Sequence, residues 1–240
     1  MPIEYYGFWQ RDFSVGNQTP ILGHGIYGIS EAAHLLGISH QKAGAWFRGW
    51  SCKTGPILES DYANSNTIRA ISFLDLVDAS VVMVLRDKHN VSPAKIRRMR
   101  QKLTNMWETS HPFSRKELTD IWIDDDGKTV FVTDDQGQMI DILKGQFAMP
   151  PILLPFLHKV EYNLDSGYAH MIRLTDRVML DPTRRYGKPI VDGTGMPTAI
   201  LYRDYLANKD ADAVADWYSV DPDDVLEAVR FETTFSGIAA

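Results

Sequence analysis

The sequence has little of what stabilises a secreted protein or anchors a membrane protein. Its 240 residues contain one cysteine, Cys52, which excludes an internal disulfide framework and a zinc site built from several cysteines. No run of about 18 apolar residues occurs, so no transmembrane span is predicted. The first residues lack a basic region followed by an apolar core, and we therefore expect no signal peptide. Together these absences predict a cytoplasmic protein.

The patterns that usually accompany catalysis are also missing. The seven histidines show no metal-ligand spacing, and no Gly-rich phosphate loop occurs. Cys52 stands beside Lys53, but no pattern identifies a base that would activate its thiol. The consecutive aspartates at 124–126 are typical of a turn and lack the spaced ligands of a calcium loop. We therefore predict no enzymatic activity, no bound metal and no cofactor.

The composition is that of a globular protein, but the charge is unevenly distributed. Hydrophobic residues make up 44% of the chain and charged residues 23%. The net charge of -6 divides into a basic residue range 1–110, with 12 Lys or Arg against 9 Asp or Glu, and an acidic range 111–240, with 13 against 22. This asymmetry favours one part that faces DNA and another that faces a different partner.

Two short helices joined by a turn are predicted near the N-terminus. Ser30 is a candidate N-cap of the first helix, and Gly37 supplies its left-handed stop. Ser39 is the candidate N-cap of the second helix. Two helices separated by a three-residue, glycine-containing turn are typical of a helix-turn-helix, although an ordinary helical hairpin with a solvated polar face is the alternative.

The second helix of such a motif lies in the DNA major groove. Gln and Arg side chains read adenine and guanine by paired hydrogen bonds, and Ala contacts the thymine methyl group. Glycine costs a helix about 1 kcal/mol relative to alanine, so Gly44 is consistent with close backbone approach to DNA. The predicted DNA-contacting residues of this helix are Gln41, Gly44, Ala45 and Arg48, flanked by His40 and Lys42.

The segment behind this helix resembles a wing. Two short extended pieces, 57–58 and 67–71, flank a polar turn at 61–66, which is typical of a β-hairpin. In a wing, Lys53 and Arg69 would contact phosphates. An irregular surface loop is the alternative.

Two further helices are predicted by their N-caps. Ser72 precedes a helix that is apolar nearly all round, as expected for the central helix of this part. Ser92 and Pro93 begin another helix, which has one buried stripe and a basic remainder. That basic remainder is either a phosphate contact or a solvated face.

The pattern changes after residue 111. Strand-like pieces at 121–123, 129–133 and 139–143 predict a small antiparallel meander. A bridging strand or tether follows at 145–175. The chain then ends in three helical patterns, whose candidate N-caps are Thr198, Asp210 and Asp221. The last pair again has helix-turn-helix spacing. Acidic residues on the final helix would repel DNA, so we interpret this pair as a protein-contact module: Asp223, Asp224 and Glu227.

These elements predict an α+β protein that is mainly helical, in three parts. Residues 1–110 form a winged helix-turn-helix domain with a helical hairpin. Residues 111–175 form the meander and linker, and residues 176–240 form a C-terminal helical module. The aromatic-rich residues 1–20 would pack on the same core or on a second copy.

Residues 29–50 resemble the winged helix-turn-helix of the MerR class, and residues 178–231 resemble an antitoxin module first catalogued as a domain of unknown function. The second resemblance rests on Asp181 with Pro182, Gly187 with Pro189, Gly193 with Thr194, and the three terminal helices. The chain has Gly195 where that module usually has arginine. As a whole it resembles the long VapB-type antitoxins that pair with PIN-like ribonuclease toxins.

The resemblance implies an antitoxin that neutralises such a toxin and binds operator DNA to autoregulate its operon. A homodimer is expected separately, because DNA half-sites about 34 Å apart need two recognition helices. Arginine pairs with carboxylates through two parallel hydrogen bonds, so Arg184 and Arg185 are candidates for blocking an acidic toxin site. The alternative is a one-component MerR-like transcriptional regulator whose C-terminal part senses a small molecule.

Overall fold

A computed structural model describes residues 23–49, 55–63, 70–88, 90–120, 122–123, 130–133, 139–141 and 159–235. The N-terminal aromatic segment, Cys52, Lys53 and Arg69 lie outside these ranges. Helices and small antiparallel sheets alternate along the chain, which confirms the α+β class. Among the helices described, none is both long and apolar enough to cross a bilayer.

The first two helices form the pair expected from the sequence. Helix α1 (Ile29–Leu36) ends at Gly37, whose φ of 68° is left-handed, and helix α2 (His40–Arg48) begins after Ser39. The Ser39 hydroxyl accepts a hydrogen bond from the Lys42 amide at 3.3 Å, as predicted. The predicted cap at Ser30 is wrong: Ser30 lies inside α1, and Gly28 occupies the N-cap without a side-chain hydrogen bond.

In the described part of the segment behind α2, the structure differs from the predicted β-hairpin. Ile57 and Leu58 lie in a bend rather than a strand. Strand β2 (Ala70–Ile71) pairs antiparallel with strand β1 (Tyr27–Gly28), which lies directly before α1. The strand partner is therefore about 40 residues earlier in the chain, and local turn chemistry could not reveal it.

Helices α3 (Phe73–Met83) and α4 (Pro93–Trp107) follow the predicted caps. Ser72 and Asp75 form a reciprocal capping box at the start of α3, and Ser92 caps α4. Helix α3 is the central helix, because it is buried along nearly its whole length. It continues into a π-helical turn, Val84–Lys88. Part of the basic surface of α4 serves the fold: Arg97 donates to the Gly55 and Pro56 carbonyls, and Arg100 donates to the Ser110 carbonyl.

Two antiparallel sheets follow. The predicted meander is confirmed as strands β3 (Trp122–Ile123), β4 (Val130–Thr133) and β5 (Met139–Asp141). A second sheet, which the sequence indicated only in fragments, pairs its four strands in chain order. Its strands are β6 (Val160–Tyr162), β7 (Ala169–Arg173), β8 (Val178–Leu180) and β9 (Pro189–Val191).

Three helices end the described chain, as predicted. Helix α5 (Thr198–Asn208) starts after Pro197, so Thr198 is its first residue rather than its cap. Helices α6 (Ala211–Tyr218) and α7 (Pro222–Thr234) begin after Asp210 and Asp221, whose carboxylates accept amide hydrogen bonds from the first turns.

The buried side chains form two clusters. The larger joins α1 to α4 with strands β6 to β8 and with Phe231 of α7. The smaller lies among β9 and the three C-terminal helices, around Leu201 and Val225. The larger cluster takes residues from all three predicted parts, and the division at residues 110 and 175 stays a prediction.

Candidate functional site

The exposed side of helix α2 is the first candidate surface. His40, Gln41 and Arg48 are exposed, as a role in DNA contact requires. Lys42 is half-buried, and its Nζ lies 2.5 Å from Asp87 Oδ1 and 5.9 Å from the centre of the Trp46 ring. The Lys42 ammonium is therefore held by a carboxylate of the π-helical turn after α3, and a phosphate would have to compete with that ion pair.

Gly44 and Ala45 were expected on the outward face of α2, but both are buried. The Arg48 side chain folds back over Gly44, and its Nε donates to the Gly44 carbonyl at 3.3 Å. A Cβ at position 44 would collide with the Arg48 guanidinium. Arg48 is exposed and its guanidinium is the flexible end of the side chain, so it can move aside and this contact alone does not require glycine.

The second candidate surface is the loop of residues 184–188. Arg184 is half-buried, and its guanidinium occupies the space that a Cβ on Gly195 would enter. Arg185 is exposed, as expected for a partner contact. Arg185 and Tyr186 have φ of 49° and 58°, left-handed values that cost a non-glycine residue about 1 kcal/mol or more. The loop therefore holds its two central side chains in an unusual backbone conformation.

Three interactions connect this loop to the start of the helix pair. The Tyr27 hydroxyl donates to the Gly187 carbonyl at 2.8 Å, and the Ile26 amide donates to the Tyr186 carbonyl at 3.0 Å. Lys188 Nζ lies 2.5 Å from the carboxylate of Glu31 on α1. We call this set of contacts the junction. Burial, together with the nearby carboxylate of Glu31, raises the pKa of Tyr27 well above its usual value, so its hydroxyl remains a donor.

Two of the three acidic residues of α7 do not face outward as expected. Asp224 is buried, and its Oδ1 accepts a hydrogen bond from Arg177 at 2.9 Å. Glu227 accepts a 2.7 Å hydrogen bond from the Thr175 hydroxyl. Only Asp223 of the three is exposed. Two of these carboxylates therefore fix α7 to the turn between β7 and β8, a contact that helical periodicity alone does not reveal.

The C-terminal helices instead expose large apolar side chains. One such residue stands on each helix: Leu206 on α5, Trp217 on α6 and Leu226 on α7. Trp217 is 59% exposed, an uncommon state for a side chain that is highly buried on average. Such residues are frequent in protein–protein contacts. The sequence did not single them out because each fits the apolar pattern of its helix.

A mostly apolar cavity of about 420 Å³ lies between α1 and the C-terminal module. Leu35, Pro189 and Phe231 contribute to its walls, and the Glu31–Lys188 ion pair lies at its side. A cavity of this size with a few polar groups is typical of small-molecule sites.

Comparison with known proteins gives three findings. A family model described as a protein of unknown function (DUF433) matches residues 178–231. This range is the one for which the sequence showed the C-terminal resemblance. A Mycobacterium tuberculosis protein with the provisional name antitoxin VapB45 is 36% identical over 89 residues, which are 35% of this chain and 37% of that relative. The match thus spans about a third of the length of each.

The third finding concerns the fold. The crystal structure of Rv2018 from Mycobacterium tuberculosis is similar with a TM-score of 0.62 and 23% identity. The similarity covers 88% of this chain and 98% of that one. The arrangement of helices and small sheets described above is therefore shared, over most of the chain, with a protein solved by crystallography.

Proposed function

We propose that the protein is the antitoxin of a type II toxin–antitoxin pair, which neutralises a PIN-like ribonuclease toxin and binds operator DNA. The observation that carries the proposal is the 36% identity to a relative named as an antitoxin. The match of residues 178–231 to the family that the C-terminal resemblance predicted supports the same function. In this proposal the protein acts in the cytoplasm and has no catalytic activity.

DNA binding is assigned to helices α1 and α2, acting as a helix-turn-helix. The exposed His40, Gln41 and Arg48 would contact bases or phosphates, and Lys42 would contact a phosphate after leaving Asp87. Gly44 and Ala45 are buried, so we withdraw them from direct base contact. A homodimer would present two such helices to half-sites about 34 Å apart. Lys53 and Arg69 stay predicted phosphate contacts.

Toxin binding is assigned to the C-terminal part. Arg185 is the exposed arginine of the junction loop, and it would pair with carboxylates of the toxin. Arg184 is the weaker candidate, because its guanidinium already packs over Gly195. The exposed Trp217 would supply an apolar anchor, since aromatic residues dominate the energetics of many interfaces.

The test is coexpression with the neighbouring reading frame, followed by copurification and a growth-rescue assay. A small ribonuclease held at a fixed ratio, with growth restored only when this protein is present, is the expected result. Arg185→Glu should abolish rescue if the toxin contact is assigned correctly, whereas Arg98→Glu, at an exposed arginine of α4 outside the C-terminal part, serves as the matched charge reversal. Purification without any partner, together with no rescue, would exclude the antitoxin function.

A one-component regulator is the second candidate, and the 420 Å³ cavity is the observation that favours it. In that case a small molecule bound between α1 and the C-terminal module would alter the position of the helix pair. Native mass spectrometry of the purified protein distinguishes the two functions. A retained small molecule in place of a protein partner would support the regulator.

A further inference from the structure

Three separate stretches of chain bring four ionisable side chains together beside α3. Asp61 comes from the turn after residue 60, Asp75 and Asp78 from α3, and His111 from the segment after α4. The His111, Asp75 and Asp78 side chains are 8%, 1% and 3% exposed. We call these four residues the buried cluster. None of them belongs to either candidate surface described above.

His111 has one satisfied and one unsatisfied ring nitrogen. Its Nε2 lies 2.9 Å from Asp61 Oδ1, within hydrogen-bond distance. Its Nδ1 is buried and has no hydrogen-bond partner among the described residues. The nearest carboxylate oxygens to Nδ1 are Asp78 Oδ2 at 3.5 Å and Asp75 Oδ1 at 3.9 Å. Nδ1 is therefore at ion-pair distance from Asp78 and faces a carboxylate, as the second nitrogen of a metal-bound histidine commonly does, which leaves Nε2 beside Asp61 as the nitrogen that an ion would bind.

The charge of the buried cluster supports the same conclusion. Three carboxylates surround a single imidazole, so negative charge is in excess even when His111 is protonated. Two backbone amides donate hydrogen bonds to the buried Asp75 carboxylate but bring no full positive charge to it. Buried charge is costly unless it is paired or bound to a metal, and a divalent cation would restore the balance.

We propose that Asp61, Asp75 and His111 bind one divalent transition-metal ion. One ligand atom from each of these residues lies within 4.8 Å of the other two. The 2.9 Å hydrogen bond between His111 Nε2 and Asp61 Oδ1 is close to the roughly 3 Å between two ligands at a right angle in an octahedral site with bonds of about 2.1 Å, so an ion can replace the shared proton with little movement of either side chain. Mixed imidazole and carboxylate donors suit Zn²⁺, Fe²⁺ or Mn²⁺ better than Ca²⁺.

The neighbouring hydrogen bonds would hold these ligands in place. Asp75 Oδ2 accepts from the Ser72 and Asp61 amides, and its Oδ1 faces His111. The Ser114 hydroxyl donates to Asp78 Oδ1 at 2.7 Å, which fixes Asp78 beside the imidazole. A metal-bound histidine commonly donates its second N–H to a carboxylate, and here both ring nitrogens have a carboxylate nearby.

The site is separate from the DNA and toxin contacts, so it does not depend on the proposed function. Its three ligands come from chain segments far apart in sequence, and an ion would cross-link the turn at Asp61, helix α3 and the segment at His111. We therefore expect metal binding to stabilise the fold rather than to catalyse a reaction.

The experiment is titration of the chelator-stripped full-length chain with Zn²⁺ by calorimetry, and with Co²⁺ by visible absorption. All variants carry Cys52→Ser, because a thiolate would bind these ions by itself. We expect one ion per chain in the parent. His111→Gln and Asp75→Asn should each weaken metal binding about tenfold or more. Loss of a group that only holds a ligand in place already costs about tenfold in known sites, and these two residues are ligands themselves. His170→Gln, which removes an exposed histidine of β7, should leave affinity unchanged.

Thermal unfolding supplies the second measurement. Zn²⁺ should raise the melting temperature of the parent and of His170→Gln, and the rise should be absent in His111→Gln. If His111→Gln fails to fold, Asp61→Asn replaces it, because Asp61 is the most exposed ligand at 22%. No stoichiometric binding by the parent, or equal affinity in His111→Gln and His170→Gln, would overturn the proposal. The buried cluster would then be an ion-pair network around a protonated imidazole.

Discussion

The hydroxyl of Tyr27 donates a 2.8 Å hydrogen bond to the carbonyl of Gly187, across 160 residues of sequence. Tyr27 lies in strand β1, which directly precedes α1, and Gly187 belongs to the loop that carries Arg184 and Arg185. The side chain of Tyr27 is fully buried, so the bond is protected from water. It joins the start of the candidate DNA-binding helices to the candidate toxin-binding loop.

Replacing Tyr27 by phenylalanine tests the strength of this bond. Tyr27→Phe keeps the ring and leaves the Gly187 carbonyl without its donor, so we expect a loss of about 1–2 kcal/mol in the free energy of unfolding. Urea denaturation followed by circular dichroism measures it. Tyr186→Phe, at an exposed tyrosine of the same loop, is the control and should unfold like the parent. Equal stability of the two variants would mean that water replaces the bond without cost.

A pair of glycine substitutions separates backbone strain from steric collision. Gly187 and Gly193 have similar φ, 81° and 77°, but a Cβ at 187 would strike the Tyr27 hydroxyl whereas a Cβ at 193 meets nothing within 4 Å. Gly193→Ala should therefore lose about 1 kcal/mol from the backbone alone. Gly187→Ala should lose a further 1–3 kcal/mol or so from overpacking. Denaturant unfolding compares the variants, and equal losses would exclude a tight contact at Tyr27.

The local parts of this fold were predictable, because their signals lie within a few residues. Ser39, Ser72, Asp210 and Asp221 each cap the helix that the sequence assigned to them. The three-residue turn at Gly37 was predictable for the same reason. Capping residues and apolar periodicity act over one or two helical turns, and both can be read from a single sequence.

The parts that could not be predicted depend on distant partners. Strand β2 pairs with β1 rather than with the segment at 57–58. Gly44 is covered by Arg48, and Asp224 is paired with Arg177, so their expected exposure was wrong. The buried cluster joins residues 61, 75, 78 and 111, whose separations match no metal-binding motif. Each of these outcomes follows from contacts that only the folded chain brings about.

The ion pair between Lys42 and Asp87 predicts a gain of DNA affinity on substitution. Asp87→Asn frees the Lys42 ammonium for phosphate contact. We therefore expect DNA binding to strengthen about two- to fivefold on any sequence, which corresponds to the free energy of one surface ion pair. Asp176→Asn removes the same charge from the exposed turn between β7 and β8 and is the matched control. Fluorescence anisotropy at several salt concentrations measures both. If the two variants gain equally, the effect is one of net charge and Lys42 makes no DNA contact.

Arg48 and Arg185 should affect different partners. Arg48→Ala is expected to weaken specific operator binding by about 1–3 kcal/mol and to relax the preference at one base position, because arginine reads guanine through two hydrogen bonds. The same change should leave toxin binding intact, since Arg48 is exposed on α2 and takes no part in the three junction contacts. Arg185→Ala should do the reverse: it should weaken toxin binding and keep operator affinity.

Anisotropy with operator DNA and calorimetry with purified toxin, on both variants, give the four measurements. Loss of both activities in either variant would point to damage transmitted through the junction, and Tyr27→Phe would then be expected to reproduce it.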